Sequence, residues 1–156
     1  MTKPPSYWKK AKTYLSSKDK IMKILIKKYN DKYLTTRKDV FFSLCKSIIG
    51  QQISVAAANS VFMKFDKLCK NRINPKIVNK LNSQQLKKCG LSRQKVRGIK
   101  ELAKKFYNKS FNPDLIKQMS DEDAILYLSS LRQIGRWSAE TVSYTHLTLP
   151  TKVTVE

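Results

Sequence analysis

Apolar residues recur at helical spacing along almost the whole chain, and before Val142 no run alternates in the manner of a strand. The first two predicted helices cover residues 7–16 and 18–29, the second with Ile21, Ile24, Leu25 and Lys28 in register. Phe41, Leu44 and Ile48 mark a third stripe, which ends at Gly50. Ser54 is placed to cap a fourth helix whose buried face is Ala58, Val61, Phe62, Phe65 and Leu68. Asn74-Pro75 opens a short helix to about Leu81, and Ser83 caps another that ends at Gly90. Ser92 caps a long helix with Val96, Ile99, Leu102, Ala103 and Phe106 inside, and Leu91 is placed to pack on Val96 as a hydrophobic staple. Asn112-Pro113 marks a turn. Beyond it Ser120 opens a helix with Asp121, Glu122 and Asp123 in its first turn, where acids complement the helix dipole better than they would form a catalytic cluster. With no internal repeat and no long linker, the pattern describes an all-α bundle.

One segment departs from plain amphipathic helix. Leu128, Leu131, Ile134, Ala139 and Val142 bracket Gly135, a spacing that suits two short helices joined by a tight turn, a hairpin over about 128–142. The sharp turn is expected to need Gly135, because a side chain there would meet backbone or an approaching phosphate. The N–H groups around Gln133, Gly135 and Ser138 would lie at the start of the second helix, where donors are unpaired and the dipole favours an anion. Such a device holds nucleic acid by its backbone without reading sequence.

Charge points the same way. The 156 residues, one domain's worth, carry 32 Lys and Arg against 11 acids, a formal net charge of +21. That balance favours a polyanionic partner, DNA or RNA before an anionic membrane surface. The competing explanation is a lysine-rich proteome, since most of the excess is Lys. Arg93, Lys95, Arg97, Lys100 and Lys104 are expected to coat the outer surface of their helix, and such runs are more often solvated than bound. The basic N-terminal segment has no apolar stretch of a signal peptide, and no run approaches a membrane span. Cys45, Cys69 and Cys89 lack metal or redox spacing and read as reduced thiols, which suits a cytoplasmic, nucleoid-associated protein.

Three further blocks sharpen the hairpin. Ile48-Ile-Gly-Gln-Gln-Ile-Ser-Val-Ala-Ala57 precedes an apolar helix. Leu86-Lys-Lys-Cys-Gly-Leu-Ser-Arg-Gln-Lys-Val-Arg-Gly-Ile-Lys-Glu-Leu-Ala103 sits mid-chain. Met119-Ser-Asp-Glu-Asp-Ala-Ile-Leu-Tyr-Leu128 leads into Ile134-Gly-Arg-Trp-Ser-Ala-Glu140. In this order they resemble the DNA-3-methyladenine glycosylase II family of the helix-hairpin-helix glycosylase superfamily, over nearly everything from Tyr7 to Val142.

The resemblance implies the all-α glycosylase fold and a monomeric enzyme acting on damaged double-stranded DNA. Such an enzyme flips an alkylated base of the 3-methyladenine type from the duplex and hydrolyses its N-glycosidic bond. It makes Gln52 the wedge that fills the vacated space; the competing possibility is that Gln51 and Gln52 merely bridge two helices. It makes Trp137 an aromatic wall of the base pocket, where stacking on an electron-poor base adds roughly 0.5–2 kcal/mol. Trp8 is left to packing. Superfamily members that cleave the strand carry a lysine at the position of Trp137, so the resemblance implies a monofunctional enzyme. It maps backbone binding to Gln133, Gly135 and Ser138. It also maps a monovalent cation to the main-chain carbonyls of Ser129, Leu131 and Gln133, with no other cofactor.

Two departures qualify it. The family has glycine where this chain has Gln133, so a side chain there either needs an unusual backbone or points to solvent. The family's catalytic aspartate lies downstream of the hairpin and has no counterpart here. Val142-Ser-Tyr-Thr-His-Leu-Thr-Leu-Pro-Thr151 resembles one reading frame of a transposase-end sequencing adapter, which implies a glycosylase domain over 1–142, incomplete at its C-terminal end, and a non-native tail over 143–156. The helical pattern is expected to stop at Val142, and His146, the sole histidine, is given no role. Glu140 is expected to pair with Arg136 on the surface. The 156-residue chain is expected to be catalytically inactive and marginally stable. Two alternatives remain, a non-enzymatic helix-hairpin-helix DNA-binding module and a glycosylase for another lesion.

Overall fold

The computed structural model describes residues 7–32 and 39–146. The chain folds as α1 (Trp8–Lys18), α2 (Lys20–Lys28), α3 (Val40–Gly50), α4 (Val55–Leu68), α5 (Pro75–Lys80), α6 (Ser83–Lys88), α7 (Arg93–Tyr107), a 3₁₀ helix (Pro113–Gln118), α8 (Asp121–Ser129) and α9 (Arg136–His146). No strand occurs among the described residues.

Local capping chemistry sets most of the helix starts. Ser54, Asn74, Ser92 and Ser120 each accept a backbone N–H of the first turn of their helix. Asp19 and Asp39 do the same for α2 and α3. Two starts are shifted from expectation. α2 begins at Lys20 behind the Asp19 cap rather than at residue 18, which ends α1. Asn82, not Ser83, caps α6, because its side chain accepts from Gln85 N at 2.8 Å while Gln85 Oε1 accepts from Asn82 N at 2.9 Å. The acids after Ser120 serve the helix start as expected, with Asp123 Oδ2 accepting from the Ser120 hydroxyl at 2.6 Å.

The core is built around α3 and α7. α7 packs against α5, α3 and α6, and α3 also reaches α4 and α9. Phe65, Leu44, Ile48, Leu86, Ile99 and Leu128 are fully buried, and Leu91 and Val96 are buried as the staple requires. An aromatic series runs through this core, from Phe41 to Phe106 at 5.2 Å, Phe106 to Phe111 at 5.1 Å and Phe111 to Tyr127 at 4.5 Å between ring centroids. It joins α3, α7 and α8, and the Tyr127 hydroxyl accepts from Asn112 N at 3.0 Å, so its polar end is satisfied.

The basic side chains are not all solvated. Lys95 Nζ donates to the carbonyls of Ile49 (2.8 Å) and Gln51 (2.7 Å) at the end of α3. Lys100 Nζ donates to Asn79 O (2.9 Å) and Leu81 O (2.6 Å) at the end of α5. Lys12 Nζ reaches Asn30 O at 2.8 Å, just past α2, and Lys105 Nζ reaches Ser130 O at 3.4 Å, just past α8. Each satisfies carbonyls that a helix end leaves orphaned, with a charge of the sign the dipole favours. Lys95 and Lys100 therefore correct the expectation of an outer coat, whereas Arg93, Arg97 and Lys104 are exposed as expected.

Two further expectations change. α1 and α2 pack on each other but contain no buried residue, so Trp8 is not a core residue. It is half-buried, with its indole N–H donating to Lys32 O at 3.3 Å. At the other end α9 continues past Val142 to His146, and Ser143 is buried. No glycine or proline interrupts the chain between Val142 and Pro150, so the helix that packs the hairpin carries on for another turn. Residues 147–156, most of the expected tail, lie outside the described residues.

Candidate nucleic-acid interface

The hairpin stripe folds as its spacing predicts. Leu128, Leu131, Ile134, Ala139 and Val142 are all buried, holding α8 and α9 together beneath the connecting turn. The Gly135 carbonyl accepts from Ala139 N at 2.9 Å, which makes Gly135 the residue at the threshold of α9. Its expected steric necessity is not observed within the protein: a Cβ at Gly135 would meet nothing within 4 Å, and its φ is not positive. The conformational burden falls two residues earlier. Gln133 adopts φ 66, the left-handed region that favours glycine. The glutamine at the position where glycine was expected thus takes the glycine backbone, and its side chain turns inward rather than to solvent.

Gly98 makes room for it. A Cβ on Gly98 would lie 2.7 Å from Gln133 Cγ and 3.1 Å from Gln133 Cβ. Gly98 is buried on the inner face of α7, so the hairpin turn rests directly on that helix. Arg132 adds an ion pair to the same helix, at 3.7 Å from Glu101.

The Gln51-Gln52 pair divides between the two roles weighed for it. The Gln51 amide donates to Gln133 O at 2.6 Å and to Ser138 Oγ at 3.5 Å, so it bridges the end of α3 to the hairpin. Gln52 is exposed, with φ 56, at the tip of the turn between α3 and α4. Ser138 is buried in the first turn of α9, its hydroxyl facing Gln51. The two left-handed glutamines, Gln52 and Gln133, are therefore separated by one side chain.

Trp137 also lies in the first turn of α9, with 75% of its surface exposed. Its indole face is open for a planar group to stack on, without enclosing walls from the described residues. Arg136 beside it is committed: Nη1 and Nη2 bind the Glu122 carboxylate at 2.8 and 3.0 Å, and Nε binds Glu140 at 2.9 Å. The expected Arg136–Glu140 pair is thus one arm of a triad that clamps α8 to α9. The Arg136 guanidinium holds the Glu122 carboxyl below the usual carboxylate range. A carboxylate so held is a poor general base, which leaves Glu122 a structural role.

A pocket of about 580 Å³ opens between these parts, lined by Gln51, Glu101 and residues 129–135. Ser129 Oγ is buried beside it and has no hydrogen-bond partner among the described residues. Ile134 N donates to Leu131 O at 3.0 Å, and the Gln51 amide donates to Gln133 O.

The chain that carries this hairpin has relatives in sequence and in structure. The description "HhH-GPD superfamily base excision DNA repair protein" matches residues 45–148. The chain belongs to the HhH-GPD superfamily. It is 30% identical over 149 residues to "Alkylbase DNA glycosidase-like protein mag2" of Schizosaccharomyces pombe, covering 92% of this chain and 70% of that protein. It is 26% identical over 137 residues to "DNA-3-methyladenine glycosylase 1" of the same yeast, covering 84% of this chain and 60% of that protein. The solved structure of Schizosaccharomyces pombe 3-methyladenine DNA glycosylase in complex with abasic DNA superposes with a TM-score of 0.74 at 23% identity, over 89% of this chain and 70% of that one. The helical bundle described above is therefore the HhH-GPD fold.

The residues that sequence reasoning missed are Gly98 and Lys95. Gly98 carried no signal, since an isolated glycine in a helix has many explanations. Lys95 was hidden among charges of the same helix, and only the fold brings the end of α3 to it.

Proposed function

We propose that this chain recognises damaged sites in double-stranded DNA as a monomeric, monofunctional base-excision glycosylase of the 3-methyladenine type, in the cytoplasm close to the nucleoid. The observation that carries the reading is the Gln51 bridge, which sets an exposed glutamine turn and a helix-hairpin-helix turn side by side. In this reading the hairpin, through the N–H groups around Gln133, Gly135 and Ser138, grips the backbone. Gln52 enters the duplex where the base leaves, and Trp137 stacks on the extruded base. An electron-poor alkylated base gains from an indole face, and the indole has no amine for Schiff-base chemistry, which keeps the reaction hydrolytic. In the same reading the main-chain carbonyls of Ser129, Leu131 and Gln133 would hold a monovalent cation, supported by all three residues lining one pocket beside the unpartnered Ser129 hydroxyl. Such an ion would add positive charge at the phosphate grip.

The same reading assigns recognition, and not bond cleavage, to the 156-residue polypeptide, because the aspartate that would stabilise the developing sugar cation has no counterpart in it. Incubation of the purified chain with methylated DNA is expected to release no 3-methyladenine above a no-enzyme control. The chain should nevertheless bind a duplex with an abasic-site analogue more tightly than an undamaged one. Equal affinity for the two duplexes would instead favour a DNA-binding module that uses only the hairpin and its basic surroundings.

A further inference from the structure

The turn that carries Gln52 is held at two points, and neither hold comes from α4. Lys95 Nζ donates to both Ile49 O and Gln51 O, so one ammonium closes the end of α3 and fixes the peptide immediately before Gln52. The Gln51 side chain then anchors the same residue to Gln133 O and Ser138 Oγ in the hairpin. Between these holds and α4, Gln52 sits at φ 56. A left-handed non-glycine residue is strained and persists where its surroundings over-determine it. Lys95 and Gln51 supply that determination.

We propose that Lys95 and Gln51 are positioning residues that lock the Gln52 turn to the hairpin, so that the duplex wedge and the phosphate grip act as one rigid unit. The proposal rests on Gln52 being the wedge. It gives Lys95 a role distinct from that of a DNA-binding lysine, since its ammonium is turned into the protein onto two carbonyls. Burial lowers the Lys95 pKa, as expected for an ammonium withdrawn from water. Without these holds the turn can leave the left-handed conformation, and the wedge would have to be reordered at every encounter with a lesion.

The test compares the affinity of the full chain for a fluorescent duplex with a tetrahydrofuran abasic-site analogue and for the same duplex undamaged, by anisotropy over a range of salt. Lys95→Met is expected to reduce the preference for the abasic duplex about tenfold, the scale of one charge-assisted hydrogen bond, and Gln51→Leu, which removes a neutral one, about fivefold. In Lys95→Met the salt dependence of binding to undamaged DNA should be unchanged, because the lost ammonium touches no residue of the phosphate grip other than through Gln51. Lys95→Arg, which can still donate to the carbonyls, should keep most of the preference. In a Gln52→Ala background neither substitution should reduce it further. Gln51→Leu leaves the Lys95 contacts in place, so it reports on the lock even if Lys95→Met does not fold.

Three results would overturn the proposal. If Gln52→Ala loses the preference while Lys95→Met and Gln51→Leu keep it, the wedge stands without the lock. A shallower salt dependence in Lys95→Met, by about one unit of slope, would mark Lys95 as a direct phosphate contact. If Gln52→Ala keeps the preference, the wedge reading fails and the lock has nothing to position.

Discussion

α2 and α7 have similar amphipathic sequences and opposite fates. On α7 the residues Val96, Ile99, Leu102 and Ala103 disappear into the core, and two lysines of the same helix reach across to close the ends of α3 and α5. On α2 the residues Ile21 and Ile24 remain 69% and 67% exposed although α2 packs against α1. Helical periodicity thus specifies an apolar face but not its cover. A stripe becomes core only where other elements bring a second surface to it.

The contrast should be largest when side chains are deleted on either side of it. Phe65→Ala, in the fully buried centre, is expected to destabilise the fold by about 3–5 kcal/mol, read from the urea midpoint. A cost below that of an ordinary surface substitution would show that the α3–α9 core is loosely packed after all.

Next in size is the contact of α7 with the hairpin. Gly98→Ala places a methyl against Gln133 and should cost about 1–3 kcal/mol. Gln133→Gly removes both the obstructing side chain and its left-handed strain, so Gly98→Ala in that background should be nearly neutral. Additive effects in this double-mutant cycle would separate the two positions.

Lys100→Met keeps the aliphatic stem but leaves the α5 carbonyls uncapped, an expected loss of about 1–2 kcal/mol. An unchanged midpoint would return Lys100 to the solvated coat that the sequence suggested. The smallest effect belongs to α2. Ile24→Ala should shift stability by no more than about 0.5 kcal/mol, and a larger loss would reveal a cover for that face.

Local rules were legible in the sequence. Ser54, Asn74, Ser92 and Ser120 cap as read because an N-cap bonds within its own first turn, and the hairpin stripe buries because its partners are a few residues away. The cap at Asn82 was misplaced by one position because Ser83 is an equally good capping type. What the sequence could not show was long-range. Lys95 meets Gln51, Gln133 meets Gly98 and Arg136 meets Glu122 only after the bundle forms. Gln51 and Gln52 look interchangeable as letters, and only the fold separates the bridge from the exposed tip. The outer-coat reading of Lys95 and Lys100 failed for the same reason, since the carbonyls they close belong to other helices.

The Gly98–Gln133 contact also constrains how this hairpin can vary over time. A lineage with glycine at 133 is free to accept alanine or serine at 98, whereas one that acquires a long side chain at 133 must already have, or must keep, glycine at 98. Substitution order is therefore restricted, with the helix position emptied before the turn position is filled. Among descendants the two sites should change together, although they are far apart in the chain and neither is placed to touch the base.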